Sequence, residues 1–343
     1  MKSNKDLMIQ IMDKELGKVE MKAIIYTTYG EPKVLELKNV KTPQPKDNEV
    51  LIKISSVVVA TEDPLQRKGK PYFARLFLGL NKPKKSILGT EFSGEVISTG
   101  NNVTLFKKGD NIFGSAGSHF GCYAEYVCLP QDSLIDFKPK NITHEEAAPI
   151  CSALTAYNFL KTQAKIQEGQ KILINGASGS VGSIAVQLAK LYGAEVTAVC
   201  STKNLALVKS LGADIVIDYT INDFTKNNRQ YDIIFDVSGK RSFKECKNSL
   251  TSNGIYLNTV ISFSVLFQTM YTKILSQRKV IFSATGLQNI RKRKANMKEI
   301  IAFLEEGKIK TIIDKRYRLE DIIDAHKYVE SGVKIGNIVI NIA

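Results

Sequence analysis

Gly176, Gly179 and Gly182 recur at three-residue intervals in Asn175-Gly-Ala-Ser-Gly-Ser-Val-Gly182, directly after the apolar run Lys171-Ile-Leu-Ile174. Glycines at this spacing, between a strand and a helix, let a pyrophosphate sit on bare backbone N–H groups at a positive helix end. The phosphate-facing set is Gly176, Ala177, Ser178, Gly179, Ser180, Val181 and Gly182, with Ala177 standing where a G-x-G-x-x-G fingerprint has its first glycine. Gly179 lets the phosphates approach, and Gly182 lets the helix close on the strand.

A second indication of chemistry is the end of the next strand, Glu195 to Cys200. NAD-specific folds place Asp or Glu there to hold the ribose hydroxyls. Ala198-Val-Cys-Ser-Thr-Lys-Asn204 has no acid. Ser201 and Lys203 are suited instead to a 2′-phosphate, through a hydroxyl and a cation. The expected cofactor is NADP(H).

Other chemistry is sparse. His119, His144 and His326 sit in unrelated segments, and no Ser-His-Asp or Cys-His constellation is visible. The five cysteines read as small buried hydrophobes in a reducing compartment.

These residues need elements to position them. Beyond the glycine turn, Val181, Ile184, Ala185, Leu188 and Leu191 share one helix face. Further strands are expected at Asp214–Tyr219, Tyr231–Val237, Gly254–Val260 and Lys279–Thr285, with helices at Asn204–Leu211 and Phe243–Leu250. Such a rhythm implies a doubly wound parallel sheet covered on both faces. Upstream, short strands at Met21–Thr27, Val34–Val40, Glu49–Val58, Phe92–Thr99, Asp110–Phe113, Tyr123–Leu129 and Ser133–Lys138 alternate with turns, an all-β, barrel-like pattern. The C-terminus returns to mixed structure, with helices at Ala295–Glu306 and Leu319–Gly332 and strands at Ile309–Tyr317 and Asn337–Ile342.

Taken together, Ile87-Leu-Gly-Thr-Glu-Phe-Ser-Gly94, Gly121-Cys-Tyr-Ala-Glu-Tyr126, Glu145-Glu-Ala-Ala148, Leu154-Thr-Ala156, the glycine turn, Leu211-Gly-Ala-Asp214 and Asp324-Ala-His-Lys327 carry a resemblance. From Met21 to Ala343 the chain resembles the medium-chain dehydrogenase/reductase superfamily, in its zinc-independent quinone oxidoreductase branch. The resemblance implies an α/β fold: a GroES-like β-barrel domain with an inserted Rossmann sheet. Expected boundaries are an extension over 1–20, the barrel over 21–151, the nucleotide domain over 152–287 and a return to the barrel over 288–343. Substrate and nicotinamide would meet between the lobes.

Zinc members of the superfamily carry ligands at the positions of Ala60, Thr90 and Cys151. A methyl and a hydroxyl hold the first two places here, and residues 95–115 lack the four cysteines of a structural zinc lobe. No metal is expected. Without one, a quinone or an α,β-unsaturated carbonyl is an easier hydride acceptor than a simple ketone, because the added charge is already delocalised. The resemblance further implies that Thr155 faces the nicotinamide, that Thr61 and Asp63 lie on the substrate-side loop, and that Tyr219 stacks by the 2′-phosphate. Ser238 and Asn337 complete the cofactor set. Many relatives have Asn where Ala60 stands. Tyr72–Leu80 and Ile261–Ile274 are expected to line the cleft.

The net charge of +14 comes from 48 Lys+Arg against 34 Asp+Glu, mostly as scattered lysine. The dense basic runs, Lys82–Lys85 and Arg291–Lys294, lack interleaved aromatics, so no nucleic-acid partner is expected. Residues 1–20 do not read as a transit or signal peptide, and no segment is apolar enough to span a membrane. The expected location is cytoplasmic. Lys279–Thr285 has little charge after Lys279, and similar reductases pair this edge across a two-fold axis, so a homodimer is expected. Two other functions stay open: an enoyl-thioester reductase, and a nucleotide-loaded interaction protein with vestigial redox activity.

Overall fold

The computed structural model describes residues 20–260 and 262–342, so all of the expected extension except Glu20 lies outside the described residues. The chain divides into two compact units: Met1–Cys151 with Ile313–Ala343, and Ser152–Ile312.

The chain opens with β1 (Glu20–Ile25), β2 (Glu36–Lys41) and β3 (Glu49–Val58). Two short helices follow, α1 (Asp63–Lys68) and α2 (Arg75–Leu78), before β4 (Glu91–Thr99), β5 (Asn111–Ser115), β6 (Tyr126–Pro130) and β7 (Leu134–Phe137). Helices α3 (His144–Ala147) and α4 (Ile150–Tyr157) lead into the second unit. There β8 (Lys171–Asn175), α5 (Ser180–Leu191), β9 (Glu195–Cys200), α6 (Leu205–Ser210), β10 (Ile215–Asp218), β11 (Tyr231–Asp236), α7 (Phe243–Cys246) and β12 (Leu250–Asn258) alternate. The unit continues with α8 (Phe263–Leu275), β13 (Lys279–Phe282) and α9 (Ile290–Glu305). Strand β14 (Ile313–Arg318), α10 (Ile322–Glu330) and β15 (Asn337–Asn341) then rejoin the first unit.

In the first unit β3 is the hinge of the sheet. One edge takes β4 antiparallel; the other takes β6 beside Glu49–Lys53 and β15 beside Ser56–Val58. The alternation of β3 puts Val50, Ile52 and Ile54 into one core with Phe92, Val96, Ile112, Ile338 and Ile340. The C-terminal return is fastened by Glu145, which accepts from Asn341 Nδ2 at 2.7 Å and from Arg316 Nε at 2.6 Å.

In the second unit the strand order β10-β9-β8-β11-β12-β13 is parallel throughout. Ile172, Leu173 and Ile174, like Ile233, Ile234 and Phe235, are buried on both faces, as a helix-covered parallel sheet requires. The order reverses at β8, where the glycine turn lies.

Three expectations change. The second domain boundary falls after Ile312, not after 287, because α9 belongs with the nucleotide unit. Its Met297, Ile300 and Leu304 are buried, the Tyr157 hydroxyl donates to Glu299 at 2.7 Å, and Gln187 holds both the N–H and the carbonyl of Lys310. The second apolar stretch expected to line the cleft is a regular helix, Phe263–Leu275 as α8. The edge strand ends at Phe282, shorter than expected.

Candidate functional site

The second unit holds the glycine turn. Strand β8 ends at Asn175, and Gly176 turns the chain with φ +86°, a region open to glycine. A Cβ on Gly182 would stand 2.1 Å from the Gly176 carbonyl oxygen, so only glycine lets α5 start this close to the strand. Gly179 is different. A Cβ there would meet nothing nearer than the Gly176 oxygen at 3.5 Å, an ordinary contact. The fold does not demand glycine at 179; a ligand at the end of α5 would. Gly179 is also the N-cap of α5 and supplies no side-chain cap, so the helix end is left for an anion.

Beneath the turn lies a network that sequence reasoning missed. Asn175 Nδ2 donates to Asp236 Oδ1 at 2.8 Å and to Ser238 Oγ at 3.0 Å, and the Ser238 hydroxyl donates to Asp236 Oδ1 at 2.8 Å. Asp236 further accepts from the backbone of Gly239 and Arg241 and from the Tyr256 hydroxyl. This buried carboxylate therefore fixes the loops leaving β8 and β11 side by side, with Ser238 under Gly176.

The expected 2′-phosphate residues are brought together at the ends of β9 and β10. The Tyr219 N–H donates to the Cys200 carbonyl at 3.1 Å, setting its exposed ring beside the Ser201–Lys203 turn. Asn204 donates to Ser178 Oγ at 2.9 Å and to Ser201 Oγ at 3.3 Å, linking that turn to the glycine turn. An acid does lie nearby, on β10 rather than β9: Asp218 pairs in register with Cys200. Its carboxylate is engaged by Thr220 N–H and Oγ1, and the Thr202 and Thr220 hydroxyls hold its pKa below the ordinary value. Thr155, on α4, is half-buried.

The first unit holds the substrate-side loop. Thr61 is exposed, while Asp63 is completely buried. Asp63 Oδ2 accepts from the Ala60 N–H at 2.8 Å and from the Tyr123 hydroxyl at 2.6 Å; among the described residues Oδ1 has no partner. Burial, aided by the Glu62 charge, raises its pKa to about 7. Asp63 thus holds the Ala60–Thr61 backbone and does not reach solvent.

A folded pKa of about 7 against an ordinary 3.8 means that the folded state holds the proton more tightly. The stabilisation is full at acid pH and is lost as pH rises through 7. Asp63→Asn, which keeps the shape without the ionisation, should therefore gain on the parent between about pH 4 and 7, by up to ~1.4 kcal/mol per pH unit. Denaturant melts of both proteins across that range measure it; a pH-independent difference would contradict the burial argument.

Next to Tyr123, edge-on with ring centroids 5.8 Å apart, is His326. Arg67 donates to its Nδ1 at 3.1 Å, to the Gly30 carbonyl at 3.0 Å and to Glu330 at 2.9 Å. Burial and the adjacent guanidinium pull His326 down to about 3, so it stays neutral, a packing residue of α10.

The positions at which the superfamily's zinc members carry ligands do not fit zinc here. Ala60 offers a methyl and Thr90 a hydroxyl, leaving only Glu91 and Cys151 as donors. Glu91 Oε2 accepts the Cys151 N–H at 2.8 Å, and burial raises that carboxyl to about 8. Among the described residues no three His, Cys, Asp or Glu side chains cluster as ligands. Asn337 is buried at the start of β15.

Residues 46–139 match the alcohol dehydrogenase GroES-like domain, and residues 211–340 match the zinc-binding dehydrogenase domain. A 2-methylene-furan-3-one reductase of Solanum lycopersicum is 33% identical over 94% of this chain and 79% of its own length. The chain belongs to the medium-chain dehydrogenase/reductase superfamily, as a zinc-independent, quinone oxidoreductase-like member. An NADPH-dependent alkenal/one oxidoreductase of Arabidopsis thaliana, chloroplastic, is 28% identical over 94% of this chain and 79% of its own. The solved quinone oxidoreductase of Coxiella burnetii superposes with a TM-score of 0.84 at 31% identity, covering 94% of this chain and 100% of that one. The GroES-like unit and the inserted parallel sheet are those of this superfamily.

Proposed function

We propose that this reductase uses NADPH to deliver hydride to a quinone or an α,β-unsaturated carbonyl without a metal ion. The observation that carries the reading is the glycine turn, where Gly179 keeps open a space that the fold has no need to leave empty. The reductase of tomato, the alkenal/one oxidoreductase of Arabidopsis and the quinone oxidoreductase of Coxiella support the substrate class.

In this reading NADPH supplies the hydride, and the chain binds, orients and excludes water. Gly176–Gly182 hold the pyrophosphate at the end of α5. Ser201, Lys203 and Tyr219 hold the 2′-phosphate, and Ser238 supports the turn from below. Thr155 faces the nicotinamide, and Asn337 belongs to the same cofactor set. Thr61 offers its exposed hydroxyl to the substrate oxygen, while Asp63 is a positioning residue for that loop. The exposed Tyr72, Phe73, Leu76 and Phe77 give the first unit an apolar wall suited to such substrates. The same wall would suit the acyl chain of an enoyl thioester, the nearest rival.

NADPH should bind at least tenfold tighter than NADH, about 1.4 kcal/mol. Ser201→Asp should erase or reverse that preference by like-charge repulsion with the 2′-phosphate. Titrations of both cofactors decide it; equal affinities in the parent protein would sink the assignment.

We further place the protein in the cytoplasm, the reducing compartment its five free cysteines suit; the Arabidopsis relative is chloroplastic. We also propose a homodimer paired along β13, an edge of the parallel sheet. The Thr272 hydroxyl accepts the Val280 N–H, so pairing would rest on the remaining strand groups. Light scattering giving a mass near the 38.1 kDa monomer would refute it.

A further inference from the structure

Helix α8 is built with its polarity reversed. A surface helix of a soluble protein turns its apolar stripe to the core and its polar face to water. In α8 the half-buried or buried positions are Val265, Gln268, Thr269 and Thr272, at helical spacing. This inward face is mostly polar and is held by hydrogen bonds: Thr272 Oγ1 accepts the Val280 N–H at 2.9 Å, and Lys279 Nζ donates to the Thr272 and Ser276 carbonyls. The apolar residues point out. Phe263 is 89% exposed, Phe267 70%, Met270 72%, Ile274 81% and Leu275 69%, and the Phe267 and Tyr271 rings stack in solvent with centroids 6.4 Å apart. So large a contiguous apolar face marks an interaction site.

Charge identifies the occupant. Between Glu245 and Glu299 the sequence has no Asp or Glu, but it has Lys247, Lys273, Arg278, Lys279, Arg291, Lys292, Arg293, Lys294 and Lys298. A second copy laid on this helix face, as distinct from the β13 edge proposed above for the homodimer, would bring the same cations and no complementary acids. Nucleic acid would use the cations and the aromatic rings, but Met270, Ile274 and Leu275 offer it no flat face for stacking. An apolar helix face in a wholly basic stretch suits one surface on both counts: anionic headgroups over acyl chains.

We propose that α8 is an interfacial anchor, lying in the plane of an anionic bilayer with Phe263, Phe267, Met270, Ile274 and Leu275 among the acyl chains. The helix spans nothing, and among the described residues no helix is long and apolar enough to cross a membrane. Its role is to hold the enzyme at a membrane surface.

Co-sedimentation of the full chain with vesicles of phosphatidylcholine, alone or mixed with phosphatidylglycerol, tests this. The parent should partition onto the mixed vesicles at least about tenfold more than onto phosphatidylcholine alone, and high salt should weaken that binding. The double variant Phe267→Glu/Ile274→Glu should lose about tenfold or more, whereas Phe267→Leu/Ile274→Leu should keep it. Both positions are exposed, and far-UV circular dichroism with thermal melts confirms that each variant is folded. Absence of binding to the mixed vesicles would overturn the proposal. So would equal binding by the glutamate variant, which would leave charge alone responsible. A concentration-dependent dimer broken by the glutamate variant, with no vesicle binding, would assign the face to a second copy instead.

Discussion

Gly179→Val should abolish NADPH binding and leave both units folded. A Cβ at 179 meets the Gly176 oxygen at 3.5 Å, an ordinary contact, so the backbone can carry a side chain there, and its bulk would compete with the pyrophosphate at the end of α5. Gly182 offers the opposite case, since a Cβ there would stand 2.1 Å from the same backbone oxygen and would push α5 off the sheet. The pair separates two roles that one motif combines. Gly179→Val should melt near the parent and bind NADPH more than about a hundredfold more weakly, a loss near 2.7 kcal/mol; Gly182→Val should melt early. Parent-like NADPH affinity in Gly179→Val would move the cofactor site elsewhere.

Arg67→Met should be the most destabilising single change in the first unit. The guanidinium is completely buried and joins α1, the Gly30 carbonyl, His326 and Glu330. Removing it leaves the His326 Nδ1 acceptor buried without its donor and takes the Gly30 carbonyl's partner away, while Glu330 keeps Lys68 at 2.6 Å. Loss of one partner from a buried charged network costs about 3–5 kcal/mol, which lowers the melting temperature by roughly 10 °C in a unit of this size. Calorimetry should show the loss in the transition of the first unit, and a shift within a degree or two would show that Arg67 is not the clamp its contacts suggest.

Local patterns were legible where local physics decides the structure. The glycine spacing, the apolar face of α5 and the buried runs of β8, β9 and β11 are set by residues within a few positions of one another, and each lies where the pattern put it. What the pattern could not carry was the partner of a face. The period of α9 says that Met297, Ile300 and Leu304 are buried, but not against which unit, so the expected boundary fell before the helix. For α8 the usual inference, apolar inward, gives the wrong face.

Long-range polar pairs were equally invisible. Asp63 and Tyr123 are 60 positions apart, and Arg67 and His326 are 259 apart. Asp63 stands in the sequence as a candidate for chemistry and is instead buried as a support, because nothing in its neighbours announces the hydroxyl of Tyr123. Asp218 escapes a reading of β9 alone, since only the register of the sheet sets the end of β10 beside Cys200.

The most direct test of metal-free NADPH-dependent reduction is turnover by the purified, chelator-treated protein. NADPH absorbance is followed in the presence of a panel of quinones, alkenals and enones. Acceptor-dependent NADPH oxidation, undiminished by the chelator and much slower with NADH, is the predicted result. No oxidation with any acceptor, or activity that the chelator removes and added zinc restores, would contradict it.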